Sequence, residues 1–233
     1  MPEMNDARWQ YTCRYLAEVF GQPDEHLATL MEEAVREGLP DISITADVGR
    51  LLKMLVEMSG AVTALEIGTL AGYSGIWLAR GLRREGRQAG RGQGREEARL
   101  ITIEAEPKHA AFARRQFDRA GVGDIVQIVE GEALAVLPGL LAEMPAGALD
   151  VVFADAVKRE YPAYWDLVRP KIAIGGLFIM DNALGSGAWW IDEAGHADRD
   201  AVDALNRELA ADPDFEAVGI PIREGLTVAR RVS

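Results

Sequence analysis

The stretch TALEIGTLAGYSGIWLAR, residues 63–80, decides the fold. Its apolar run up to Ile67 breaks at Gly68, and apolar residues resume at helical spacing beyond Gly75, so it reads as strand, glycine turn and helix. Four further runs rich in Val, Ile and Leu follow: LITIE (100–104), IVQIVE (125–130), LDVVFAD (149–155) and GGLFIMD (175–181). Between them lie stretches of helical periodicity, marked by Pro107 and Gly121, by Leu134, Leu137 and Leu141, and by Tyr161, Trp165 and Val168. Continuous apolar strands alternating with helices predict a parallel sheet covered on both faces, a doubly wound α/β domain. The end of the chain differs. After a helix built on Val202, Leu205 and Leu209, the runs FEAVGIPI (215–222) and LTVARRV (226–232) are separated by a turn around Arg223, Glu224 and Gly225, which permits only an antiparallel hairpin.

Upstream of residue 63 the pattern is helical. Asp24 is placed to cap a helix carrying Leu27, Leu30, Met31, Ala34 and Val35, and a second lies between Thr45 and Gly60. The aromatic stretch from Trp9 to Phe20 predicts another, whose apolar residues suit core or subunit packing. The whole chain, 1–233, is therefore expected to form one domain, with a helical N-terminal extension (1–44) and an Arg/Gly-rich surface insertion (83–99).

Composition bounds the partners. With 25 basic against 37 acidic residues the net charge is −12, which argues against a nucleic-acid partner held by phosphate neutralisation. A lone cysteine, Cys13, makes neither an internal disulfide nor a thiolate metal site. No signal-peptide pattern or membrane-length apolar run is present, so a soluble, cytoplasmic protein is expected. Only four basic residues are lysines: Lys53, Lys108, Lys158 and Lys171.

In an open α/β sheet, ligands bind beyond the carboxyl ends of the strands. At the first end, Gly68, Gly72 and Gly75 let backbone approach a ligand, and Ser74 offers a hydroxyl near a helix N-terminus. The spacing is not GxGxxG, which disfavours a nicotinamide dinucleotide; a nucleotide-dependent oxidoreductase is nevertheless the alternative that a glycine turn with an acid would fit. Glu104 ends the second strand, where an acid can accept both ribose hydroxyls of a nucleoside. Gly131, Glu132 and Ala133 follow the third, small enough for an adenine ring to lie across. Asp155 ends the fourth, and Asp181 with Asn182 the fifth. If those strands are neighbours, three hard oxygen donors converge, a set that suits Mg²⁺ or another hard divalent ion such as Mn²⁺ or Ca²⁺ better than zinc. Each of the three alone would read as a helix cap. Lys158 lies three residues beyond Asp155, placed to act as a base beside such an ion. The three histidines, His26, His109 and His196, read as solvated or structural.

Together LEIGTLAGYSG, IEAEP, FADAVKREY, IMDNALGSG and REGLTVARR resemble the cation-dependent O-methyltransferases of the catechol and caffeoyl-CoA type, from about Thr45 onward. The resemblance implies a Rossmann-like sheet of seven strands, S-adenosylmethionine as methyl donor, and a vicinal dihydroxy-aromatic acceptor. By resemblance, residues matching Glu66, Gly68, Gly72, Ser74, Glu104, Ala133 and Asp155 serve the donor site, those matching Asp155, Asp181 and Asn182 hold the metal, and Lys158 is the base. Relatives are often homodimers, for which the aromatic N-terminal helices could supply an interface. The sequence departs from the family at Val157, where plant caffeoyl-CoA enzymes usually have a second acid, and at Gly185, where many bacterial relatives have Trp. Trp189 and Trp190 fit either an aromatic wall for the acceptor or internal packing.

Overall fold

A computed structural model describes residues 5–83 and 98–233. The described part of the chain runs α1 (Asp6–Leu16), a short π-helical turn (Ala17–Gly21), α2 (Glu25–Arg36), α3 (Ala46–Ser59), β1 (Thr63–Ile67), α4 (Tyr73–Arg83), β2 (Arg99–Glu104), α5 (Pro107–Arg119), β3 (Val126–Glu130), α6 (Ala133–Ala142), β4 (Leu149–Ala154), α7 (Tyr161–Val168) and β5 (Ile172–Asp181). The two-residue strands β6 (Gly185–Ser186) and β7 (Trp189–Trp190) come next, then α8 (Ala197–Ala211), β8 (Phe215–Ile220) and β9 (Leu226–Arg231). The bounds follow local chemistry. The Asp24 side chain accepts the Leu27 N–H at 2.9 Å to start α2, Gly60 takes the left-handed conformation (φ 78°) that ends α3, and Pro107 opens α5.

The main sheet has seven strands in the order β3-β2-β1-β4-β5-β9-β8. The first five are parallel, and β9 runs antiparallel between β5 and β8, so the expected terminal hairpin completes this sheet. β5 begins at Ile172, earlier than the apolar run 175–181 suggests, with a register irregularity between Leu149 and Val151 of its partner. Of the Arg/Gly-rich segment read as an insertion (83–99), residues 84–97 lie outside the described residues; Arg83 is the last residue of α4 and Arg99 the first of β2.

Alternate strand residues face opposite layers. Leu65, Ile67, Ile103, Val152, Phe178 and Met180 pack against Leu137, Trp165 and Leu205 of α6, α7 and α8. On the other face Ala64, Leu100, Val151 and Ile179 meet α2 to α5 through Leu30, Leu52, Ile76 and Phe112. Burying a Leu or Ile side chain contributes roughly 1.5–3 kcal/mol, and these positions are at most 2% exposed, so both layers hold the strands and their tips in place. Among the described residues no helix is long and apolar enough to cross a membrane. The chain order reverses between β1 and β4, and a crevice opens beyond their carboxyl ends.

Candidate functional site

That crevice is a cavity of about 810 Å³, lined from all five parallel strand ends and closed by the 40–44 segment before α3, the β6–β7 turn and the β8–β9 turn. Its floor is set by backbone crowding. The Asp155 N–H donates to Ile67 O at 2.9 Å, and a Cβ added to Gly68 (φ 102°) would stand 2.4 Å from Asp155 O. A side chain there would push β1 and β4 apart, which is why glycine occupies the first strand end.

Glu104 organises the turn that follows. Its Oε2 accepts the N–H groups of Thr69 (3.2 Å) and Leu70 (2.7 Å), and its Oε1 accepts the Glu106 N–H (3.0 Å). A carboxylate has about four acceptor sites, so these three bonds leave about one for a ligand. The same carboxylate therefore holds the turn and faces the cavity. His109, in the first turn of α5, brings Nδ1 to 3.5 Å from Glu104 Oε1 and also lines the cavity. The sequence reading missed it, since nothing in its helical surroundings signals that Pro107 sets α5 beside Glu104.

Gly68, Ser74, Glu104, Ala133, Asp155, Lys158 and Asn182 all line this cavity. Glu66, Gly72 and Asp181 do not. Glu66 is fully buried behind the wall, where Ser74 Oγ and Thr102 Oγ1 each donate to its carboxyl at 2.6 Å. Burial dominates there, with the Asp155 and Glu104 carboxylates adding to it, and together they push the Glu66 carboxyl up to about 8. Its position makes it a support for Ser74 rather than a wall of the site.

The acidic corner forms at β4 and β5. Ala154 pairs with Met180 in parallel register, so Asp155 and Asp181 leave neighbouring strands whose spacing is about 4.8 Å. Tyr161 of α7, buried beneath, donates to Ala154 O (3.0 Å) or Asp181 O (3.3 Å) and ties the two tips together. Burial pushes its hydroxyl well above the ordinary tyrosine range, so it remains a donor. Lys158 Nζ donates to Asp155 Oδ1 at 2.5 Å and lies 5.2 Å from the Tyr161 ring centre. Asp181 is 2% exposed; burial and then the Asp155 carboxylate push it up to about 7, against the opposing pull of Arg223 and Lys158. Asn182 sits at φ 58°, unusual for a residue with a Cβ, and its side chain makes no hydrogen bond among the described residues.

These features bear on a metal. Among the described residues no three His, Cys, Asp or Glu side chains cluster as a site. The set at this corner is two carboxylates and an amide, all hard oxygen donors, with the Asp155 carboxylate close enough to raise Asp181 and the amide residue in a left-handed backbone conformation at the cavity wall. That donor set, without a nitrogen or sulfur ligand, fits a hard divalent cation.

Ile44, Val157, Tyr164, Ser186, Gly187 and Ala188 also line the cavity. Trp189 and Trp190 are not part of it. Trp189 is 4% exposed and stacks on His196, while Trp190 lies against Gly185, where an added Cβ would meet its ring at 2.1 Å. Their role is packing of the β6–β7 hairpin. The sequence reading also passed over Arg223 and Glu224, which line the cavity from the β8–β9 turn.

The O-methyltransferase family model matches residues 18–232. Among similar proteins, the catechol O-methyltransferase of Niastella koreensis is 32% identical over 231 residues, 97% of this chain and 99% of that one. The caffeoyl-CoA O-methyltransferase of Eucalyptus gunnii is 29% identical over 234 residues, covering 98% of this chain and 88% of its own. The crystal structure of the O-methyltransferase TomG from Streptomyces achromogenes, involved in tomaymycin synthesis and solved in complex with SAM, superposes with a TM-score of 0.81 at 30% identity, covering 99% of this chain and 100% of that one.

Proposed function

The chain belongs to the O-methyltransferase family, and from that premise we propose that it moves the methyl group of S-adenosylmethionine to one hydroxyl of a vicinal dihydroxy-aromatic small molecule, with a divalent cation at Asp155, Asp181 and Asn182. The observation that carries this reading is convergence: the Glu104-held turn, Asp155, Lys158 and Asn182 all line one cavity, with Asp181 buried at the neighbouring strand end behind them. A hard divalent cation at that corner, Mg²⁺ or else Mn²⁺ or Ca²⁺, would supply a Lewis acid that engages adjacent hydroxyls and acidifies one of them.

The chain's own residues do the rest. Gly68, Ser74, Glu104 and Ala133 seat the methyl donor at the β1–β3 end, and Glu66 fixes the Ser74 hydroxyl from behind. Lys158, on the turn after β4, takes the proton of the acceptor hydroxyl. Ile44, Val157 and Tyr164 wall the acceptor end and exclude water. Transfer requires acceptor oxygen, methyl carbon and donor sulfur in line, so the principal contribution of these walls is orientation. A nucleotide-dependent oxidoreductase would have no use for the acidic corner, and the family assignment does not support one.

The same reading extends to assembly and compartment. Tyr11 (64% exposed), Tyr15 (48%) and Phe20 (55%) form an apolar face on α1 and the π turn that suits a second copy of the chain, and a cytoplasmic homodimer is proposed. The test of the reaction is a radiolabelled methyl-donor assay over catechols, catecholic acids, their coenzyme A esters and flavonoids, with and without Mg²⁺. Transfer to a catechol-type acceptor supports it, and transfer to none of them contradicts it.

A further inference from the structure

The β8–β9 turn brings a fixed cation into the acidic corner. Arg223 adopts φ 50°, a left-handed conformation that favours glycine, and from there its guanidinium spans three groups. Nη2 meets Asp181 Oδ2 at 2.7 Å, Nη1 donates to Ser43 O at 2.8 Å, and Nε lies 2.5 Å from Glu224 Oε2 without hydrogen-bond alignment. Its side chain is 19% exposed and that of Asp181 is 2%, so the contact is shielded from water. A buried carboxylate left without a partner is costly, and Arg223 supplies one directly.

The consequence concerns metal affinity, and it rests on the reading that Asp155, Asp181 and Asn182 take a divalent ion. An ion entering that corner meets an arginine already bonded to one of its carboxylates, and it must share or displace that bond. It must also settle beside a charge of its own sign that cannot be neutralised by losing a proton. Glu224 offsets part of that charge but not the occupation of Asp181. We infer that Arg223 is a resident counter-ion of the acidic corner, a positioning residue that holds Asp181 ready while weakening the grip of the site on a divalent cation.

Binding of Mn²⁺ to the full chain, followed by the electron paramagnetic resonance signal of the free ion, tests this without reference to turnover. Arg223→Gly suits the backbone conformation and removes the cation; it is expected to lower the Kd for Mn²⁺ by about tenfold or more. Arg223→Gln removes the charge at similar length, and the same tightening is expected should the glycine variant fold poorly. An unchanged or raised Kd in the folded variant overturns the inference while leaving the metal reading standing. Absence of Mn²⁺ binding in wild type and variants alike overturns both.

Discussion

The buried Glu66 carboxyl makes stability depend on pH in a way that can be worked out from its surroundings. It is 0% exposed and bonded to two hydroxyls, and burial lifts it from 4.5 to about 8. Between those limits the folded chain keeps a proton that the unfolded chain has released, so stability is fully present below about pH 4.5 and is lost as pH rises toward 8. At about 1.4 kcal/mol per pH unit, the loss reaches at most about 5 kcal/mol. Glu66→Gln removes the titration and keeps the shape. Its amide satisfies Ser74 and Thr102 after a hydroxyl rotation, since Thr102 Oγ1 has Thr69 Oγ1 as a second partner at 2.5 Å. Urea unfolding of both proteins at pH 5, 7 and 9 reads the difference. The variant should match wild type near pH 5 and exceed it by several kcal/mol at pH 9. Parallel curves across that range would refute the reasoning, because Glu66 would then be ionised equally in both states.

Further predictions concern the site. Gly68→Ala forces a Cβ to 2.4 Å from Asp155 O at φ 102°, and should lower Tm by roughly 5–10 °C in a scanning calorimeter while weakening donor binding. Glu104→Gln replaces one acceptor of the turn N–H groups with a donor; calorimetric titration should show S-adenosylmethionine bound about tenfold or more weakly. Lys158→Ala should cut kcat by on the order of 10² to 10⁴ while leaving the donor Kd near wild type, and near-normal turnover at neutral pH would remove Lys158 from the base role. Phe20→Asp places a charge on the exposed aromatic face and should convert dimer to monomer by light scattering; a monomeric wild type would reject that interface.

Much of the fold was legible because a parallel sheet buried on both faces writes continuous apolar runs into the sequence, and those runs end where the ligands bind. Asp155, Asp181 and Asn182 could be brought together on paper because β4 and β5 are neighbours, as the strand order shows. What escaped the sequence depends on contacts between distant segments. Glu66 looks like any strand acid until Ser74 and Thr102 fold onto it. His109 looks like a surface residue until α5 docks by Glu104. Arg223 belongs to a hairpin turn, and its reach to Asp181 comes from a left-handed backbone that no local pattern announces. The two tryptophans were readable as a wall or as packing, and the cramped backbone at Gly185 decides for packing.

The central claim is that the corner formed by Asp155, Asp181 and Asn182 makes methyl transfer depend on a divalent cation. The direct measurement is methylation of a catechol by the chelator-stripped full chain, quantified by mass spectrometry before and after Mg²⁺ is restored. The account predicts negligible product without the ion, recovery when it returns, and no recovery in Asp155→Asn. Methyl transfer at an undiminished rate in the stripped protein would contradict it.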